Sequence, residues 1–345
     1  MSRSMRPLLH YAQDEDGRKT DDSVVYQGGS DFKYQYDKTN EAGNGAFGTV
    51  YKGTVTAKGT SDDGVLIGDS VAVKVAGLSE RDGATLASDM ERFNKLLQMD
   101  HSNVVRYMCI AAKQSGEQLS VEIVMPLYDG GDLAKKMKKL EKPGSILDKK
   151  ILRGYLRDLA EGLCYVHGQH FIHTDIKPAN VFIQLAHKGR ESLVIGDMDD
   201  AAYADDTKEA IEIGSRMGTL LYASPEILRP LFKLSVEDDG IESERPDQKT
   251  DIYSLGCLYL RLSALFFGNP PELLGNAAGR SKLAKGLLDR THASKVAEGY
   301  IPLVPESMPT YIQDLLRKCL LLDADKRATA QELVTMLSPN DISTD

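Results

Sequence analysis

From position 173 the chain reads His173-Thr174-Asp175-Ile176-Lys177-Pro178-Ala179-Asn180. This stretch places an acid, a base and an amide on one short segment stiffened by a proline. A carboxylate at Asp175 followed by an amide at Asn180 suits a site that holds a metal ion beside a hydroxyl.

Two further groups carry chemistry upstream. Gly43-Asn44-Gly45-Ala46-Phe47-Gly48-Thr49-Val50 has glycines spaced for a tight turn that presents N–H groups to phosphates. A glycine-rich hairpin with no ligand has the same look. Tyr51 to Val55 reads as a returning strand, so the unit is strand–loop–strand and not the strand–loop–helix of a dinucleotide site. Lys74 then lies inside the apolar run Val71-Ala72-Val73-Lys74-Val75-Ala76, where a charge is costly unless paired. Glu91 has two readings: an ion pair with Lys74, or the last residue of a capping box Ser88-Asp89-Met90-Glu91 that starts a helix.

The elements that must position these groups follow from periodicity. Residues 32–37, Phe-Lys-Tyr-Gln-Tyr-Asp, alternate as a half-buried strand does, and 57–70 form a long polar hairpin connection. A helix is expected over 82–99, with Leu86, Met90, Phe93 and Leu97 on one face. His101 to Val105 closes it and starts another strand, and Val121 to Met125 is a further strand. Gly130-Gly131 is a hinge candidate. Lysines 135, 136, 138, 139 and 142 read as a solvated helix face. Ile151, Leu152, Tyr155, Leu156, Leu159 and Leu163 recur at helical spacing from Lys149 to His167, and that helix delivers the 173–180 stretch. Short strands Val181–Ile183 and Leu193–Ile195 lead to Asp197-Met198-Asp199. Residues 199–216 are acidic and poorly patterned, which suits a mobile segment, and 235–249 form a charged insertion. The segment from Ile252 to Leu265 is apolar nearly all round, as in a buried helix, and Thr329-Ala330-Gln331-Glu332 caps the last one.

The chain has 345 residues, 41% of them hydrophobic, enough for one large domain or two lobes sharing a cleft. A net charge of −9 argues against general nucleic-acid binding. Cys109, Cys164, Cys257 and Cys319 are scattered and read as free thiols of a reducing compartment. Neither a signal peptide nor an apolar run of membrane-spanning length is seen, so a cytoplasmic protein is expected, with the nucleus as an alternative. The expected organisation is a flexible tail over 1–31, a first lobe over 32–127, a second over 128–338 and a short tail over 339–345.

Taken in order, these motifs resemble the eukaryotic protein kinases from about Phe32 to Leu337. The matching residues are Gly43, Gly45, Gly48 and Val50 of the glycine loop, Lys74 of Val-Ala-Val-Lys, the 173–180 stretch, Asp197 and Ser224-Pro225-Glu226. To these the resemblance adds Asp251, which holds the catalytic loop from below, and Arg327, which pairs with Glu226. The implied fold is α+β and bilobal, with a small β-rich N-lobe holding one main helix and a larger, mostly helical C-lobe.

The implied activity is transfer of the ATP γ-phosphate to protein serine or threonine, with Mg²⁺. Lys177 and Thr219 point to the serine/threonine type. By the resemblance Asp175 accepts the hydroxyl proton and Lys177 balances charge on the γ-phosphate. Lys74, oriented by Glu91, holds the α- and β-phosphates, while Asn180 and Asp197 hold metal. Adenine is implied between Ala72 and Phe182, under Ala42 and Val50, bonded to the backbone near Leu127 and Tyr128. Met125 is the gatekeeper, and Asp132 meets the ribose. Ala179 stands where kinases preferring basic substrates often carry glutamate.

The sequence departs from the family at four places. Thr174 replaces the arginine that meets an activation-segment phosphate, which implies activity not strictly dependent on such phosphorylation, although Thr207 and Ser215 remain candidate sites. Asp199 replaces a glycine beside the metal. Ala42 is small for its place over adenine. The usual helix acid falls on Arg92, adjacent to Glu91. The competing implication is a pseudokinase serving as a nucleotide-binding or scaffold module.

Overall fold

The computed structural model describes residues 22–28, 33–45, 48–57, 67–78, 83–115, 118–141, 149–185, 190–199, 201–204, 220–232, 246–267 and 291–338. Most of the expected tail, the loop tip at Ala46 and Phe47, Thr207, Ser215, Thr219 and most of the charged insertion lie outside the described residues. The chain forms two units, Met1–Asp100 with Val105–Leu127 and His101–Val104 with Tyr128–Asp345.

The first unit is built on a six-stranded antiparallel sheet in the order β1-β5-β6-β4-β3-β2. Its strands are β1 (Asp22–Gly28), β2 (Lys33–Gly45), β3 (Gly48–Ala57), β4 (Ser70–Leu78), β5 (Cys109–Ser115) and β6 (Gln118–Pro126). β1 corrects the expected tail: residues 22–28 pair with β5 along the sheet edge. Helix α1 runs Gly83–Leu96. Because α1 starts at Gly83, Ser88 to Glu91 lies inside the helix and is no capping box.

Strand alternation sorts β4 into two faces. Val71 and Val73 join Val55, Cys109 and Val124 in one core cluster, against which Tyr34 and Tyr36 pack. Ala72 and Lys74 therefore point to the opposite face. Within that cluster Glu122 is buried and accepts hydrogen bonds from the Tyr34 hydroxyl at 2.6 Å and the Tyr36 hydroxyl at 2.7 Å, with Lys113 at 2.8 Å. The strand expected to begin at Val104 begins instead at Cys109. Residues His101–Val104 belong to the second unit, where the Ile195 N–H donates to the Asn103 carbonyl at 2.8 Å.

The second unit contains α2 (Leu133–Leu140), α3 (Lys149–Gly168), α4 (Pro225–Leu231), α5 (Gln248–Phe267), α6 (291–297), α7 (Thr310–Cys319) and α8 (Ala330–Met336). Two antiparallel strand pairs accompany them, β7 (Phe171–Ile172) with β10 (Ala202–Tyr203) and β8 (Val181–Leu185) with β9 (Glu191–Ile195). On α3, Leu152, Tyr155, Leu156, Leu159 and Leu163 are buried as their spacing requires, whereas Ile151 is 43% exposed and off the stripe. α5 is buried on nearly every side, and each buried leucine contributes roughly 1.5–3 kcal/mol. Its Tyr259 satisfies its hydroxyl by donating to the Leu156 carbonyl at 2.6 Å. Lys135, Lys138 and Lys139 are exposed on α2, but Lys136 pairs with Glu191 at 2.5 Å. The cap at α8 is present: the Thr329 hydroxyl accepts the Glu332 N–H, and Glu332 accepts the Thr329 N–H at 2.7 Å.

β10 moors the chain just beyond the Asp197 tripeptide. The Tyr203 and Phe171 rings stack 4.9 Å apart, and the Ala204 N–H donates to the His170 carbonyl at 2.9 Å.

Candidate active site

α3 ends at Gly168, and His170 turns the chain in the left-handed region at φ 64°. After β7 the backbone meets the carboxylate of Asp251, which is fully buried in the first turn of α5. That carboxylate accepts the His173 N–H at 2.7 Å, the Thr174 N–H at 2.8 Å and His167 Nε2–H at 2.9 Å. Thr174 sits at φ 71°, a conformation that is unfavourable for a β-branched residue. The ring of His173 spans from the Asp175 N–H, accepted at Nδ1 at 3.3 Å, to the Gly196 carbonyl, 2.9 Å from Nε2.

Asp175, Lys177 and Asn180 converge. Lys177 Nζ lies 2.5 Å from Asp175 Oδ2, and Asn180 Nδ2 donates to the same oxygen and to the Asp175 carbonyl, each at 2.9 Å. Asp175 and Lys177 keep side-chain exposures of 19% and 18%, so both are reachable from solvent. A short 3₁₀ turn, Pro178–Asn180, makes this geometry: the proline sets its first position, and the Asn180 N–H closes on the Lys177 carbonyl at 3.0 Å. The Asn180 carbonyl accepts the Gly196 N–H at 2.8 Å, which ties the turn to the residue before Asp197. Asp197 itself is held at φ 64°, and Asp199 is buried.

Phe182 on β8 stacks on Tyr128, with ring centroids 5.5 Å apart and planes 3° from parallel. Asp132 caps α2, accepting the Lys135 N–H at 2.8 Å and pairing with its ammonium at 2.9 Å. Gly130 is required by crowding, since a Cβ there would sit 2.5 Å from the Ile183 carbonyl oxygen.

In the first unit, Lys74 is 7% exposed, with Val50 on β3 and Ile123 on β6 as its register partners. Ala72 pairs in register with Met125, and both are buried. The Leu127 N–H donates to the Ser70 carbonyl at 3.3 Å. Gly43 faces Val50, and Gly45 faces Gly48, across the β2–β3 hairpin. The register slips between Glu41 and Gly43, so Ala42 is the extra residue of a bulge, a device that re-aims a side chain. Gly48 has φ 144°, and a Cβ would lie 2.4 Å from the Val75 carbonyl oxygen, so no other residue fits.

Glu91 corrects an expectation. Its side chain is 69% exposed and pairs with Lys95 at 3.7 Å, one turn along α1. Helix phase explains this: Phe93 and Leu96 define the buried face of α1, with Arg92 beside them, and Glu91 falls on the outer side. Glu91 is therefore not the partner of Lys74.

Sequence reasoning also missed Asn103 and His167. Asn103 Nδ2 donates to the Leu193 carbonyl at 2.9 Å, anchoring the β9 strand that leads to Asp197. Its neighbours Val104 and Val105 read as a strand start and hid that role. For His167 the signal was its place in the last turn of α3.

The pair Glu226–Arg327 closes the lower part of this unit. Arg327 donates to both Glu226 oxygens, at 2.6 and 2.8 Å, with both side chains essentially inaccessible. Burial pushes the Glu226 carboxyl up, and the Arg327 hydrogen bonds and charge outweigh it, leaving it below the ordinary carboxylate value.

Among the described residues, no group of three or more His, Cys, Asp and Glu side chains is set to hold a metal. One carboxylate and one amide instead fit Mg²⁺, which keeps waters and leans on substrate phosphates. Asn180 fits this part because its amide nitrogen is engaged by Asp175, leaving the carbonyl oxygen as the remaining ligand atom.

These features define a phosphoryl-transfer scaffold, and comparison with known proteins agrees. The protein kinase domain family model matches residues 36–337, and the chain belongs to that family. It is similar to the MAP kinase kinase kinase wis4 of Schizosaccharomyces pombe, 28% identical over 85% of this chain and 18% of that protein. Human mitogen-activated protein kinase kinase kinase 5 is 27% identical over 95% of this chain and 21% of its own length. Mitogen-activated protein kinase kinase kinase 1 of Arabidopsis thaliana is 27% identical over 90% of this chain and 43% of its own length. The chain thus spans from under a fifth to somewhat over two-fifths of these relatives.

Proposed function

We propose that the protein is a serine/threonine protein kinase that transfers the γ-phosphoryl group of ATP to protein hydroxyls with Mg²⁺. The observation that carries the reading is the Asp175 carboxylate, reachable from solvent, with one oxygen fixed by Lys177 and Asn180. That arrangement leaves Oδ1 to accept the proton of a substrate hydroxyl and orient it. Lys177, already beside Oδ2, carries the positive charge that a transferred phosphoryl group needs. Asn180 and Asp197 would hold Mg²⁺, which supplies charge neutralisation at the phosphates when bound. Lys74 is assigned to the α- and β-phosphates and the Gly43–Gly48 backbone to the phosphate chain. Ala42, Val50, Ala72, Met125, Leu127, Tyr128 and Phe182 are assigned to the adenine, and Asp132 to the ribose. Relatives named MAP kinase kinase kinases support the serine/threonine class.

The same proposal includes activity without obligatory phosphorylation of the activation segment, supported by Thr174 in place of an arginine. It also includes a cytoplasmic or nuclear location, supported by four free cysteines. The test is phosphate transfer to a generic protein substrate by wild type and by Asp175→Asn. Loss of transfer in the variant with Mg²⁺-ATP binding retained is expected; equal transfer by both overturns the reading. A wild type that transfers nothing yet is stabilised by Mg²⁺-ATP would instead be a pseudokinase.

A further inference from the structure

One stripe of α5 connects the catalytic loop to a cation. Asp251 holds the Thr174 N–H. At the next turn Ser254 Oγ donates to the Tyr222 carbonyl at 2.8 Å, and further along Arg261 Nη1 donates to the Tyr222 hydroxyl at 2.7 Å. Asp251 and Arg261 are separated by about 15 Å of helical rise. An extended peptide covers that distance in about four or five residues.

Arg261 is positioned but not saturated. Its side chain is 29% exposed, and its second contact, Nη2 to Glu141 Oε1, is a long 3.5 Å. A guanidinium carries more N–H donors than these two contacts use. The Tyr222 hydroxyl is a neutral acceptor, so it aims the guanidinium without cancelling its charge. On the catalytic loop, exposed Ala179 supplies no acid to attract a basic peptide.

We propose that Arg261 determines substrate specificity by reading a carboxylate within about five residues of the phosphoacceptor. The inference rests on the kinase reading above. A peptide Asp or Glu would take two parallel N–H···O bonds from the guanidinium, the geometry that favours arginine over a point charge.

The test is a set of peptides with one serine or threonine acceptor and Asp, Ala or Lys scanned through the flanking positions. Wild type is expected to show kcat/KM about tenfold higher for Asp than for Lys at one or two positions. Arg261→Glu is expected to reverse that preference while the Ala-flanked peptide changes less than about twofold, a split that loss of folding would not give. Arg261→Gln, which keeps length and polarity, is expected to erase the preference if the reversed variant folds poorly. No acidic preference in wild type, or one that survives both substitutions, overturns the inference and leaves the kinase reading standing. Failure of wild type to phosphorylate any peptide or generic protein overturns the kinase reading, and this inference with it.

Discussion

The Asp251 carboxylate holds the backbone N–H of Thr174 at 2.8 Å while Thr174 occupies the left-handed region at φ 71°. The two facts belong together. Strain of about 1–3 kcal/mol persists only where the surroundings over-determine the conformation, and a fully buried carboxylate with three N–H donors does that. Asp251→Ala should therefore cost at least about 3 kcal/mol in urea unfolding, since it strands those donors. Thr174→Asn, which tolerates the left-handed region, should gain about 1 kcal/mol. A destabilised Thr174→Asn would show that the strain is not stored there.

Breaking the Glu226–Arg327 pair from one side should cost about 3–5 kcal/mol, because the remaining charge is buried without its partner. The pH dependence has a definite sign. Glu226 titrates lower in the fold than in the unfolded chain, so its contribution is fully present above the ordinary carboxylate value and is lost as pH falls through the lowered one. The melting temperatures of wild type and Arg327→Ala should thus converge as the pH is taken down through and below the carboxylate range. A gap that stays constant would exclude this linkage.

Asp158 on α3 has the opposite sign. Burial lifts its carboxyl to about 6, with the Glu161 charge adding and the Leu193 N–H hydrogen bond opposing. The fold therefore favours its protonated form, and its contribution to stability falls as pH rises from the ordinary aspartate value through about 6. Asp158→Asn keeps an acceptor for Leu193 and should melt about 2–4 °C higher at pH 7.5. The advantage should shrink on moving to pH 5, and an unchanged difference would count against it.

Glu91→Gln provides a check on the α1 register. An exposed i,i+4 pair is worth roughly 0.2–0.5 kcal/mol, so stability should barely move. Phosphate transfer should stay within about twofold of wild type, a change of less than about 0.5 kcal/mol in barrier. A hundredfold loss would return Glu91 to the active site.

Phosphatase treatment addresses Thr174 from another side. Transfer activity should survive dephosphorylation. Complete loss would show that a phosphate on the activation segment is needed despite the missing arginine.

The strands and helices with strong periodicity were legible from sequence, because burial on one face writes a period of two or 3.6 residues. α3 is of this kind; β4 and α5 were legible instead as apolar runs, and the last helix by its capping box. The β1 strand was missed because its apolar part, Val24-Val25-Tyr26, is only three residues long and does not alternate, and the strand gains its conformation from pairing with β5. Glu91 was misread because two adjacent residues lie about 100° apart on a helix, and a one-residue error in phase exchanges inside for outside. At 173–180 the residue types indicated chemistry, yet the two bonds from Asn180 that orient Asp175 depend on a 3₁₀ turn of which Pro178 sets only the first position.

The mooring of Tyr203 and Ala204 on the β7 side has a kinetic meaning. The amide of Ala204 is locked to His170, next to the strand that feeds the catalytic loop. In hydrogen exchange that amide should behave as part of the core, with opening tied to β7. Exchange at that amide would thus report on the strand that feeds the catalytic loop.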